Sequence, residues 1–288
     1  MTGEIAALLT ACCWALAARL YRHLGASFNA ISLNFWKGLI SLLVLLPLGF
    51  LLPSIELTSY QLALLLLSGA IGIGLGDTFF FLALRRLGDR QCLLVAETLA
   101  PLITALLAML WLSEWLLWQH WLGMALIFLA VERVLRAGST SSGTPLNWSG
   151  LQFAALAALC QAIGAVISRD IFLHTEVSVL QASNWRFLGG MAIILVLMLL
   201  WRQRPLPRPA FCWRPWLVLL VAALVGTTAA MLLQMLAFSH TKAAIAQTLL
   251  ATSIVLSLLL TKLLGDAIPK GSIHWTLAAL LGVGLLLA

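Results

Sequence analysis

The sequence predicts an all-α integral membrane protein: ten transmembrane helices arranged as two inverted five-helix repeats. Three observations lead there. First, 62% of the 288 residues are hydrophobic and only 9% are charged. A soluble domain carries about a quarter of its residues charged, and a chain this poor in charge cannot cover itself in water. Second, the apolar residues fall into ten continuous runs of about the length that spans a bilayer. Runs such as Leu62 to Leu67 and Ile193 to Leu200 lack the polar–apolar alternation of a barrel strand. Third, the two halves of the chain echo each other in order.

The runs extend over Gly3 to Tyr21, Phe28 to Leu52, Tyr60 to Leu84, Cys92 to Leu112 and Trp115 to Leu135 in the first half. In the second half they cover Trp148 to Ser168, Ser178 to Trp201, Trp216 to Phe238, Ala243 to Leu264 and Ile273 to Ala288. Ten spans use about 200 residues. The remainder leaves no room for a soluble catalytic or nucleic-acid-binding appendage, so the net charge of +7 reads as a topology signal. Glu4 stands where a cleavable signal would be basic, so the first run is expected to stay in the membrane. Cys12, Cys13, Cys92, Cys160 and Cys212 show no metal-ligand spacing and read as packing residues. No metal, no cofactor and no catalytic constellation is expected.

The longest polar stretch, Arg136 to Asn147, is rich in Ser, Thr and Gly and reads as a flexible linker. It divides the chain into a first repeat over 1–137, a linker over 138–147 and a second repeat over 148–288. Asn34-Phe35-Trp36-Lys37-Gly38 is echoed by Asn184-Trp185-Arg186-Phe187-Leu188-Gly189, and Ala96-Glu97-Thr98-Leu99 by Ala246-Gln247-Thr248-Leu249. Ser113-Glu114 is echoed by Gly265-Asp266. With five spans in each half, the second copy must cross the membrane upside down, a recurrent device of secondary transporters.

Lys and Arg set the expected orientation. The loops after odd-numbered spans hold thirteen of the seventeen cations, from Arg19 and Arg22 to Lys262 and Lys270, and the opposite side holds only Arg169 and Lys242. This bias places both termini outside the cytoplasm. Most tryptophans, including Trp111, Trp115, Trp118 and Trp148, fall at span ends as an aromatic belt. Trp14 does not, and is a candidate lining residue of a central cavity.

Ionisable groups in hydrocarbon are costly, and each invites a functional reading. Asp77 and Glu97 are the carboxylates well inside spans, both about 10 to 12 Å from the cytoplasmic edge at 1.5 Å per residue. They sit at one depth on consecutive helices, and could share a cavity, carry a proton or bind an amine. The plain alternative is a structural ion pair with Lys37. Asp77, beside the small-residue stripe of Gly72 and Gly76, is the expected partner of Lys37, which leaves Glu97 to take a proton. Lys37 and Arg186 occupy equivalent places in the two repeats, as buried charge partners or as side chains that snorkel to the interface. Gln161, Gln234 and Gln247 are either interhelical glue or pore-lining donors and acceptors. Pro101, one turn after Glu97, frees a backbone carbonyl and is a candidate hinge.

Gly74-Leu75-Gly76-Asp77 also fits the G-x-G-D pattern of intramembrane aspartyl proteases. Such an enzyme needs a second facing carboxylate, and no Tyr-Asp pair or Pro-Ala-Leu motif is present. A serine protease motif is missing too.

Taken in order, Cys13-Trp14-Ala15 with Arg19, Trp36-Lys37 echoed by Trp185-Arg186-Phe187, the stretch Gly76-Asp77-Thr78-Phe79-Phe80-Phe81-Leu82-Ala83-Leu84-Arg85-Arg86-Leu87-Gly88, Pro101, and Leu112-Ser113-Glu114 resemble EamA-type transporters of the drug/metabolite transporter superfamily. The likeness covers nearly the whole chain. Ala15 stands where the family usually has Gly, Lys37 where Arg is commoner, and the second repeat has no proline matching Pro101. The resemblance implies a cavity lined mainly by the first, third, fourth, sixth, eighth and ninth helices. It further implies transport of small organic solutes across a bacterial inner membrane without ATP. The resulting expectation is a secondary transporter or facilitator for amino-acid-like or amphiphilic solutes, a membrane-lipid environment, protons as a candidate coupling ion and no nucleic-acid partner. A lipid-linked-sugar flippase of similar fold is the alternative. The family's usual orientation has the termini inside; the lopsided cation count decides for outside.

Overall fold

The computed structural model describes residues 1–24, 27–51, 53–87, 89–137, 147–202, 213–263 and 272–287. Most of the expected linker, residues 138–146, lies outside the described residues. Within them, every regular element is a helix. The helices are α1 (Thr2–Leu24), α2 (Ala30–Leu51), α3 (Ser59–Leu87), α4 (Asp89–Trp111), α5 (Trp118–Ala137) and α6 (Trp148–His174). Then follow α7 (Val179–Leu200), α8 (Trp213–His240), α9 (Ala243–Ala251), α10 (Ser253–Leu263) and α11 (Ser272–Leu287). Seven of them, α1 to α4 and α6 to α8, are long and apolar enough to cross a membrane. The apolar helices Ala243–Ser257 and His274–Leu287 are shorter.

Local chemistry sets several starts. Thr58 and Gln61 exchange the reciprocal bonds of a capping box at the head of α3. Asn147 caps α6 through the Gly150 amide, and Ser178 caps α7 through the Gln181 amide. The fifth helix begins at Trp118, where the apolar run suggested Trp115: Ser113 adopts a left-handed φ of 56°, and residues 113–117 leave the helix. The sixth continues to His174, past the expected Ser168. The ninth run is broken at Thr252, whose hydroxyl donates to the Leu249 carbonyl at 2.6 Å.

Two of the long helices are not α-helical throughout. In α3, the stretch Ala70–Gly76 is a π-helix; in α8, Leu224–Ala229 is one. The sequence announces neither; in the first, the stripe of Gly72 and Gly76 with Ser68 reads as close helix packing. It is also that: the Ser68 hydroxyl donates to the Gly164 carbonyl at 2.8 Å. A Cβ on Gly69 would lie 1.8 Å from the Arg186 carbonyl oxygen, and one on Gly189 would lie 2.0 Å from that of Leu66. Glycine on both helices lets α3 and α7 cross backbone to backbone.

The packing repeats between halves. α1 lies on α8 and on the α9–α10 pair, and α6 lies likewise on α3 and α4. α3 packs on α7 as α8 packs on α2. α2 meets α7 and α5 meets α11, so these pairs map onto themselves when the halves are exchanged. At the α5–α11 contact, Gly123 and Gly282 approach each other's backbone.

The bundle has two chemically different ends. At one, Arg86 stacks over Phe153 and Arg133 over Trp275. At the other, Glu114 gathers the exceptional cations' neighbourhood: its Oε1 accepts from Arg169 at 2.7 Å and its Oε2 from the Ala243 amide at 2.9 Å. Arg169 also donates to the carbonyls of Phe238 and Ser239. Lys242 donates to the Trp115 carbonyl.

Candidate functional site

A cavity of about 500 Å³ lies between the halves. Its walls include Trp14, Lys37, Asp77, Glu97, Gln161, Arg186, Gln234 and Gln247. Eight of the polar and aromatic residues singled out from the sequence thus face one space, drawn from both halves. Pro101 is not among the lining residues. It is buried within a continuous α4, one turn beyond Glu97. Lining residues Tyr21, Phe28, Arg85 and Leu93 extend the cavity toward the end where Arg86 and Arg133 lie. The lining includes no residue of the Glu114–Arg169 cluster.

The charges in the wall are handled unequally. Lys37 donates to Asp77 Oδ2 at 2.5 Å, and its ammonium also sits 5.2 Å over the Phe81 ring. Lys37 is buried, while the Asp77 side chain retains 31% exposure toward the cavity. Asp77 takes its place directly after the π-helical stretch of α3. Glu97 has no cation within ion-pair distance among the described residues. Arg186 is 3% exposed, with Nη1 on the Met235 sulfur at 3.3 Å and Nε without a partner among the described residues. The snorkelling considered for Lys37 and Arg186 does not occur. Both side chains turn inward, because α2 and α7 pack against each other and present these residues to the bundle rather than to an interface.

Gln234 and Gln247 are buried, and the Gln247 Oε1 has no hydrogen-bond donor. Trp14 is half-buried, with its ring against the main apolar core. Lys37 and Arg186 show that the second and seventh spans contribute to the wall, which the resemblance did not imply. Tyr21 was also missed. It reads as the end of a span, but its hydroxyl bonds the Ala222 carbonyl at 3.0 Å and Thr227 at 2.7 Å. That ties α1 to the π-helical stretch of α8. Tyr21 is one of only two tyrosines in the chain, the one signal that could have marked it. Asn34, buried beside the site, donates to the carbonyl of Ile73 in the π-helical stretch and to the Thr78 hydroxyl.

The sequence profile of the EamA-like transporter family matches residues 1–135 and 148–288. The chain belongs to the EamA-like transporter family. A solved crystal structure shares the fold of this EamA-like protein, with a TM-score of 0.78 over 99% of this chain and 96% of the other, at 19% identity. That likeness concerns architecture alone. No curated protein matches the sequence. The EamA-like chain is therefore an integral membrane protein with the two-repeat architecture of a transporter family, and its cavity lies where the two matched segments meet.

Proposed function

We propose that this EamA-like protein is a secondary transporter or facilitator that moves small organic solutes through the central cavity by alternating access. The observation that carries the reading is the cavity itself: eight of the polar and aromatic residues singled out from the sequence, drawn from both halves, line one space. Its lining reaches the end that holds Arg85 and does not reach the Glu114–Arg169 cluster. In an inverted repeat, exchange of the conformations of two related halves exchanges the open and closed ends. On this reading the chain forms ten spans, five in 1–137 and five in 148–288 around the linker 138–147. It resides in a bacterial inner membrane with both termini extracytoplasmic, because the cation-rich end is cytoplasmic.

Trp14, Asp77, Glu97, Gln161, Gln234 and Gln247 are the residues assigned to translocation. Lys37 and Arg186 are the buried cations, and Pro101 is the hinge. Glu97 carries the proton if transport is coupled to a pH gradient. A protease reading finds no support, since the neighbour of Asp77 is the ammonium of Lys37 and not a second carboxyl. The test is uptake into proteoliposomes of pooled amino acids and amphiphilic amines, with and without a pH gradient, for the wild-type chain and Trp14→Ala. Uptake above empty liposomes, impaired in the variant at equal protein content, is the expected result. Equal uptake by the two proteins would remove Trp14, and with it the cavity, from the path.

A further inference from the structure

The two repeats treat their equivalent cations differently, and the difference points to a ligand. The π-helical stretches give the register. Gly72 is the third residue of Ala70–Gly76, and Gly226 is the third of Leu224–Ala229. Five residues after Gly72 stands Asp77; five after Gly226 stands Met231. Nine residues after them stand Phe81 and Met235. Lys37 of the first repeat meets Asp77 and Phe81. Arg186 of the second repeat meets Met235, the counterpart of Phe81. The counterpart of Asp77 is a thioether. Met231 lies one helical turn before Met235, hence on the same face, and lines the same cavity as Arg186.

Lys37 is therefore neutralised within its own repeat, whereas Arg186 is not. No carboxylate of the described residues lies within ion-pair distance of its guanidinium. Asp77 is itself bonded to Lys37. Yet Arg186 is 97% buried and its Nε is orphaned. Gly72 leaves room for the guanidinium, since a Cβ there would come within 3.1 Å of Nη2. An arginine cannot shed its proton to relieve burial. A buried cation without a counter-ion is strongly disfavoured unless an anion arrives, and the planar guanidinium fork suits a carboxylate.

We propose that the cavity binds a small organic monoanion, with its carboxylate taking beside Arg186 the place that Asp77 takes beside Lys37. The apolar body of the solute lies toward Trp14, Phe80 and Phe81, which line the same space. This assignment rests on the reading of the cavity as the transport path and narrows its substrate class. Met231 is then the position that keeps the subsite vacant for an outside anion: a carboxylate built there would supply the counter-ion internally.

The test is equilibrium binding to the full-length protein in detergent, with three probes of one shape: benzoate, benzamide and benzylammonium. Benzoate is expected to bind about tenfold or more tighter than either of the others. Arg186→Gln loses that preference and Arg186→Lys retains part of it. Met231→Asp loses it as well, while Met231→Asn keeps it. Because Met231→Asp leaves Arg186 in place, it decides the matter if Arg186→Gln does not fold. Benzamide or benzylammonium binding as tightly as benzoate overturns the proposal, as does no binding of any probe. A benzoate preference that survives Met231→Asp also overturns it. Uptake of neutral or cationic solutes that is impaired by Trp14→Ala, with no benzoate preference, would reject the monoanion and leave the transport path standing.

Discussion

Asp77 and Glu97 face one cavity, but only Asp77 is bonded to a cation: Lys37 Nζ lies 2.5 Å from its Oδ2. Replacing Asp77 by Asn leaves Lys37 as a second buried cation beside Arg186. Breaking a fully buried pair costs about 3–5 kcal/mol. Since the Asp77 side chain is 31% exposed, a loss of about 1–3 kcal/mol is expected on that scale. Thermal unfolding in detergent should show Asp77→Asn melting lower than wild type. The paired change Lys37→Met with Asp77→Asn should recover part of the loss, since it removes the stranded charge. An unchanged melting temperature in Asp77→Asn would show that the pair contributes nothing.

Glu97 has the freedom that Asp77 lacks. With no cation within ion-pair distance among the described residues, its carboxyl is the one proposed to bind and release a proton. Glu97→Gln, fixed in a neutral form, should abolish accumulation driven by a pH gradient and preserve exchange of solute down its own gradient. The measurement is uptake into sealed vesicles with an imposed pH step, compared with counterflow at equal pH. Retained pH-driven accumulation would transfer the proton to another group.

Gly69 sits where α3 and α7 touch. An added methyl would meet the Arg186 carbonyl oxygen at 1.8 Å, backbone against backbone, with no side chain to yield. Gly69→Ala should cost at least about 3 kcal/mol, the upper end for overpacking, and collapse the yield of monodisperse protein. Gly284→Ala provides the control, because nothing lies within 4 Å of its added methyl. Size-exclusion profiles of the two variants should differ plainly. Equal profiles would mean that the α3–α7 crossing is looser than the structure has it.

The proposed orientation puts the cation-rich end in the cytoplasm. A reporter active only in the cytoplasm should be silent when fused after Ala288 and active when inserted at Ser141. The reverse pattern would place the cation-rich end outside and overturn the topology, whatever the fate of the cavity residues.

The sequence carried the helical class and the division into related halves, because both depend on counting. Apolar runs have a length, and the echoed segments keep their order in the two halves. Which carboxylate would take Lys37 was also legible, from the small residues beside Asp77. The π-helical stretches were not. Gly69 to Gly76 shows the same small-residue pattern whether the helix is α or π, since the distinction lies in which carbonyl each amide selects. The sequence leaves Arg186 open between a buried place and the interface for a related reason. Its distance along α7 from the span's start permits either, and only the glycine-lined crossing with α3 shows the guanidinium turned inward. Tyr21 eluded recognition because its partners, Ala222 and Thr227, are two hundred residues away along the chain.

The π-helical stretch of α3 also sets a helical phase. A wider turn holds an extra residue, so Ser59–Gly69 and Asp77–Leu87 are offset in rotation relative to one unbroken α-helix. The first stretch is keyed to α7 by Gly69, the second to the cavity by Asp77 and Phe81. One residue corresponds to about 100° of α-helical turn. Rewinding Ala70–Gly76 as α-helix at unchanged length would thus swing Asp77 away from Lys37, whereas removing one residue together with the wide turn would leave Asp77 in place. The wide turn is what allows one helix to answer to two neighbours at once.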